Sequence, residues 1–333
     1  DQILLGHGGG GKLTGDLISR LLLPMLGNTE LERLDDAAVL PVSEGRIAFT
    51  TDSFVVTPIV FRGGDIGELA VNGTINDLAM VGAKPLALSL ALILEEGLPV
   101  ADLTSIVASV RRAADAAGVS VVTGDTKVVG RGSADLLFIN TTGIGVIPEG
   151  VDLSSANVRA GDAILISGTV GDHGVAILSQ REGLELEGEI ESDTAPLHQL
   201  VEAMLAAYSG IHALRDPTRG GVAATLVEIA SRRKLGIEVD ESAVPVRETV
   251  QGACEILGLD PLHVANEGKL VAFVPEEGAE LVLQAMRNHP LGRESARIGR
   301  VTEDGDGMVR LRTPIGGRRI LDLPYGELLP RIC

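Results

Sequence analysis

The chain has 333 residues, about twice the usual single-domain length, so two domains of roughly 150 residues each are expected. A net charge of −18 with 2% aromatics and no Trp argues against nucleic-acid binding, since phosphate backbones reward Lys and Arg and single strands need stacking platforms. Two cysteines, Cys254 and Cys333, argue against a disulfide scaffold, and with neither a signal-type start nor an apolar run of about 18 residues the expectation is a cytoplasmic, non-membrane protein.

The first element is the run Gly6-His-Gly-Gly-Gly-Gly-Lys12. Its glycines nearly fit both a dinucleotide fingerprint and a P-loop. However, the apolar run before it is short, and Leu13 stands where a P-loop needs Ser or Thr. What survives is a string of backbone N–H groups, with Lys12 at the head of a helix, that suits an anion; a frayed terminus fits the same residues. Apolar periodicity then predicts a strand over Ile47 to Thr51, a helix over Ile66 to Val81, and a strand over Pro85 to Leu94. A helix over Asp102 to Ala117 and strands over Val119 to Thr123 and Phe138 to Val146 complete the first half. Beyond the polar stretch Val151 to Gly161 a second series begins, with a strand over Ala163 to Ser167 and a helix after Gly174. It continues with a helix over Gly221 to Arg233, a strand over Leu270 to Val274 and a helix over Gly278 to Asn288. The reading is two α/β domains, 1–155 and 156–321, followed by an extended, Pro-containing tail, 322–333, that carries Cys333.

Carboxylates recur near the ends of these segments: Asp35 and Asp36, Asp52, Asp77 and Asp125. Each alone fits a turn or cap. If strand ends gather on one rim, they converge instead as hard oxygen ligands for Mg²⁺, with substrate phosphates supplying the rest. Asp216-Pro-Thr-Arg-Gly-Gly221 suits either helix-start punctuation or an anion held by backbone donors and Arg219. His173 reads as a loop hydrogen-bonder, since no second His or Cys lies at metal-ligand spacing. Glu267 and Lys269 fit either a solvated ion pair or an acid/base pair. Cys254 reads as a small buried hydrophobe. Cys333 lacks the three following residues of a prenylation box, and an extended tail from Leu323 could reach roughly 35 Å, enough to visit a partner and return to a cleft.

Taken together, His7-Gly-Gly-Gly-Gly11, Thr51-Asp-Ser-Phe-Val-Val56, Phe61-Arg-Gly-Gly-Asp-Ile-Gly67, Val122 to Val129, Ser167 to Gly174, Asp216 to Gly221, Ala265 to Lys269 and Pro330-Arg-Ile-Cys333 resemble the HypE family, carbamoyl dehydratases of nickel–iron hydrogenase maturation. The likeness runs over essentially the whole chain, and the last string is its most specific part. It implies the two-domain fold of aminoimidazole ribonucleotide synthetase, selenophosphate synthetase and thiamine phosphate kinase: an N-terminal domain forming a dimeric β-barrel-like core and a C-terminal α/β domain. It implies a homodimer using ATP and Mg²⁺, a carbamoyltransferase partner, HypF, that loads Cys333, and delivery of cyanide to iron held by HypC and HypD. The roles implied are Cys333 as carrier, Glu267 as base and Lys127 as electrostatic partner. Lys12, Gly10, Gly11, Thr51, Asn76, Thr126, Arg219 and Gly220 are expected at the nucleotide, and Asp36, Asp52, Asp77 and Asp125 at the metal. A small-molecule kinase of the same fold, indifferent to Cys333, and a metal-binding scaffold, indifferent to ATP, are the alternatives.

Overall fold

The computed structural model describes residues 11–17, 19–20, 31–36, 38–41, 45–184, 190–323, 329 and 331–333. Its first half runs α1 (Lys12–Leu17), β1 (Ala38–Pro41), β2 (Arg46–Phe54), the small pair β3 (Val60–Phe61) and β4 (Gly64–Asp65), α2 (Ile66–Met80), β5 (Lys84–Glu95), α3 (Val100–Ala116), β6 (Ser120–Val129) and β7 (Leu137–Ile147). The five longer strands form one sheet in the order β1-β2-β7-β5-β6, antiparallel except for the β5–β6 pair that α3 connects. That pair is the one place where a crossover helix is topologically required.

Helix α2 starts where Asp65 Oδ1 accepts the Gly67 and Glu68 N–H groups at 2.8 and 3.1 Å. It is buried on nearly every side, which is why its apolar residues show little helical periodicity. One side lies on the first sheet, so closely that a Cβ on Gly143 of β7 would sit 2.8 Å from Thr74; the other lies against α3, where a Cβ on Gly67 would meet the Ile106 carbonyl at 2.6 Å. α3 is amphipathic and buries Ile106, Val110, Ala113 and Ala114 toward α2.

The second half runs β8 (Ala163–Ile166), α4 (Asp172–Glu182), α5 (His198–Ala207), β9 (Ala213–Arg215), α6 (Gly221–Arg233), β10 (Gly236–Asp240), α7 (Glu248–Leu257), β11 (Val271–Val274), α8 (Glu276–Asn288), β12 (Ala296–Thr302), β13 (Val309–Arg312) and β14 (Arg318–Leu321). The strands form a seven-stranded sheet in the order β14-β13-β10-β12-β8-β11-β9. β8 and β11 are buried at every residue because helices cover both faces there. Ile164, Ile166, Val271 and Phe273 pack with Val222 and Leu226 of α6, while Leu165, Ala272 and Val274 pack with Met204 of α5 and Val282 and Met286 of α8. This period-2 sorting is the strand geometry expected of a sheet between two helical layers.

Antiparallel pairing dominates the second sheet, because most connections are not crossovers between neighbouring strands. Two features differ from the sequence reading. β6 extends through Val129, so Asp125 lies within the strand and not at its end. α4 begins at Asp172, after Gly171 in the left-handed conformation at φ 85°, and therefore contains Gly174.

Candidate active site

Three carboxylates from separate elements meet at the junction of the two sheets. Asp36 precedes β1, Asp77 lies on α2, and Asp216 follows β9; one oxygen of each lies within 4.8 Å of the others. Local contacts fix the first two. Arg215 pairs with Asp36 at 2.8 Å and, with Arg232, donates to the Leu34 carbonyl. Asp35 accepts from Ser154 and Ser155 hydroxyls at 2.8 and 2.7 Å, which pins the segment that carries Asp36. Thr50 of β2 donates to Asp77 at 2.6 Å, and Asp52, two residues along the same strand face, meets the Asp77 carboxyl.

Burial is the main cause that raises the pKa of all four acids, and their mutual repulsion adds to it at Asp36, Asp77 and Asp216. Asp216 is pushed up to about 6, although Arg215 opposes the shift. Such a group of four desolvated carboxyls, facing only the guanidinium groups of Arg215 and Arg219, fits a divalent cation: Asp36, Asp77 and Asp216 would supply the ligands, with Asp52 beside them.

Beside the carboxylates lies the end of the chain. The Arg331 and Cys333 carbonyls accept from the Thr57 and Val55 N–H groups at 3.1 and 3.2 Å, so the last three residues run beside residues 55–57, with Arg331 in the left-handed region at φ 55°. Ile332 is buried with Phe61 and Ile177, and Arg331 pairs with Asp135 at 2.8 Å. The Cys333 thiol is thereby brought to the Glu267 carboxyl, with Arg219 and Asp52 also in electrostatic range. Burial pushes this thiol strongly up, and the Glu267 charge adds to the shift while Arg219 opposes it. Glu267 is 3% exposed, its Oε1 has no hydrogen-bond partner, and burial followed by the charges of Asp216 and Asp193 raises its pKa well above the usual carboxylate range. A buried carboxyl beside a thiol, with one oxygen left without a partner, is unfavourable for folding alone, and is the arrangement a proton-transfer site needs.

The family descriptions "AIR synthase related protein, N-terminal domain" and "AIR synthase related protein, C-terminal domain" match residues 34–147 and 159–312. The carbamoyl dehydratase HypE of Cupriavidus necator is 55% identical over 333 residues, covering 100% of this chain and 95% of that protein. The chain belongs to the HypE carbamoyl dehydratase family. The crystal structure of a HypE–HypF complex superimposes with a TM-score of 0.88 at 48% identity, over 92% of this chain and 99% of that one. That of HypE in complex with ATP gives 0.84 at 50% identity over the whole of both chains.

Within this HypE-type chain the residues expected at the site are placed as follows. Cys333, Glu267 and Arg219 share one cleft with Asp36, Asp52 and Asp77. The carboxylates do not meet at a rim of strand ends: Asp52 lies within β2 and Asp77 on a helix, so convergence comes from α2 crossing the sheet. Asp125 does not join them. It stands on the exposed edge strand β6 with Thr126 and Lys127, and its carboxylate lies 3.7 Å from the Lys127 ammonium. Thr51 points to the open face of the same sheet, its hydroxyl on the Thr141 carbonyl. Asn76 is buried and its amide is engaged by backbone at Ala195, Leu197 and Glu267, which ties α2 to the segment that carries Glu267. Gly220 caps α6 at φ 77°, and Gly221 follows at φ 64°, where a Cβ would meet the Leu262 carbonyl at 2.5 Å. Gly11 and Lys12 lie at the start of α1, with the Gly11 carbonyl accepting from Gly15, and Gly10 lies outside the described residues.

Lys269 does not pair with Glu267. Its ammonium contacts Asp193 at 2.9 Å, and Asp193 also accepts the Glu267 N–H at 2.9 Å. Burial alone would raise the Asp193 pKa, but the Lys269 ammonium and the Glu267 N–H hold it below its usual value. Two members of the site were not singled out from sequence. Asp216 was visible in the string before Gly221, but its neighbours pointed to anions; Asp193 carries no local motif, since only the fold brings it to Glu267.

Proposed function

We propose that this chain dehydrates a carbamoyl group carried on its own Cys333, using ATP, and so supplies cyanide for the iron of nickel–iron hydrogenase. The observation that carries the reading is the Cys333 thiol held against Glu267, whose Oε1 has no hydrogen-bond partner, beside a carboxylate cluster suited to Mg²⁺. A carbamoyl thioester there presents its oxygen to the nucleotide and its nitrogen to Glu267. Attack of that oxygen on the γ-phosphate expels ADP, and departure of phosphate with loss of both amide protons leaves a thiocyanate, so the amide oxygen ends in phosphate. Glu267 accepts a proton in turn, and Arg219 offsets the negative charge of the transferring group. Asp36, Asp77 and Asp216 would hold Mg²⁺, which would supply charge neutralisation at the phosphates.

The docked thiol is only partly exposed and burial pushes its pKa up, so loading by HypF takes place with the tail out of the cleft. The HypE–HypF structure supports HypF as the loading partner, and the ATP complex supports the nucleotide. HypC and HypD are the proposed recipients, and the cytoplasm the proposed compartment. Among the described residues no helix is long and apolar enough to cross a membrane.

Pairing of two copies would cover the open face of the first sheet, where β6 is exposed over nearly its whole length and Phe49, Leu86, Val122, Val128 and Ile144 stand in solvent. A dimeric barrel-like core of this kind would also enclose Asp125, Thr126 and Lys127, giving them the nucleotide-facing position expected of them. The activity is tested by measuring cyanide liberated after incubation with HypF, carbamoyl phosphate and ATP. Wild type should yield it and Cys333→Ala none; cyanide from the variant would defeat the reading.

A further inference from the structure

The terminal residues pose an accounting problem that one side chain solves. The Arg331 and Cys333 carbonyls are satisfied by residues 55–57, which leaves the Ile332 carbonyl in a buried region where an unmatched acceptor is costly. It meets His173 Nε2 at 2.7 Å. His173 is fully buried on α4, and its ring meets Phe61 edge-on with centroids 5.7 Å apart.

The partners dictate the tautomer. A carbonyl can only accept, so Nε2 carries the proton. Burial lowers the ring's pKa, against Asp193 and the Ile332 carbonyl, which favours the neutral ring with Nδ1 bare. Nδ1 lies 2.8 Å from Ser192 Oγ, which accepts the Thr194 N–H at 3.2 Å and has its own proton free to donate to the ring. The order is Thr194 N–H to Ser192, Ser192 O–H to His173, and His173 N–H to Ile332.

We propose that His173 is a positioning residue, a latch that holds the terminal segment through the Ile332 carbonyl and thereby sets the Cys333 thiol at Glu267. The polypeptide segment it selects for is this chain's own end. His173 itself does not touch the thiol.

The inference rests on Cys333 as the carrier, but its test needs neither ATP nor a carbamoyl donor. A failed latch therefore leaves the dehydratase reading intact, and cyanide made without Cys333 would defeat that reading alone. The measurement is alkylation of Cys333 by iodoacetamide, read by peptide mass, with buried Cys254 as internal reference. A docked thiol reacts only through the undocked fraction, so loss of one buried hydrogen bond should accelerate the reaction about tenfold in His173→Phe, which keeps the ring but not the donor. His173→Gln, which restores an N–H, should return the rate to within about threefold of wild type. A wild-type rate in His173→Phe, or equal acceleration in both variants, overturns the latch. Should the Phe variant not fold, ¹⁵N spectra of histidine-labelled wild type decide: the Nε2–H tautomer is expected, and an Nδ1–H tautomer or an imidazolium overturns it.

Discussion

Asp216→Asn should stabilise the protein when no metal is present and weaken its binding of Mg-ATP. The Asp216 carboxyl is raised from 3.8 to about 6, first by burial and then, against Arg215, by Asp52. A carboxylate whose folded pKa is raised binds its proton more tightly in the folded state. Its stabilising contribution is therefore complete below pH about 4 and is lost as pH rises through about 6. At about 1.4 kcal/mol per unit the gap corresponds to ~3 kcal/mol lost by pH 7, and partial solvent access reduces this to ~2 kcal/mol. Asn has the shape but not the charge, and it also relieves the repulsion on Asp36 and Asp77. The assay is thermal and urea unfolding of wild type and variant in EDTA at pH 5 and pH 7.5, repeated with Mg-ATP. In EDTA the variant should gain about 4–8 °C over wild type at pH 7.5 and little at pH 5. With Mg-ATP, wild type should gain more than the variant. A variant that is less stable than wild type in EDTA at pH 7.5, or an advantage that does not depend on pH, refutes the argument.

Lys269→Met should cost about 3–5 kcal/mol in urea unfolding, because it leaves the Asp193 carboxylate buried without its cation; an effect below ~1 kcal/mol would show the pair to be inessential. Glu267→Gln should fold normally and carry the carbamoyl group without dehydrating it, as seen in the mass of the terminal peptide; wild-type turnover would remove Glu267 from the chemistry. Lys127→Met should leave monomer stability within about 0.5 kcal/mol, since its side chain is 73% exposed, yet abolish dehydration if β6 faces the nucleotide in a dimer. Full activity in that variant would take Lys127 out of the site.

Much of the fold could be read from periodicity where burial is one-sided or complete. The α6 range Gly221–Arg233 follows from its apolar stripe bounded by Gly220 and a basic last turn, and α2 is long enough to read despite its all-round burial. Strands β9 and β13 and the amphipathic helix α7 escaped: β9 has three residues, β13 is interrupted by arginines where β8 and β11 are continuous apolar runs, and α7 has no side-chain cap. At the site, Asp36, Asp52, Asp77, Arg219, Glu267 and Cys333 lie in recognisable strings, and the fold gathers them. The partners of Lys269 and His173 could not be read, since Asp193 and Ile332 are distant in sequence and only tertiary packing joins them. The charge pattern Glu267–Lys269 misled for a physical reason: near-neighbours along a chain need not face one another when one is turned into a cleft.

The most direct test of the account is the intact mass of the C-terminal peptide through one turnover. Wild-type protein with HypF and carbamoyl phosphate should gain the mass of one carbamoyl group on the peptide that ends in Cys333. Addition of ATP should then remove the mass of one water, with one ADP formed for each water lost. A carbamoyl group found on any other residue, or water lost without ATP, would contradict the claim that this chain carries its substrate on its own last residue.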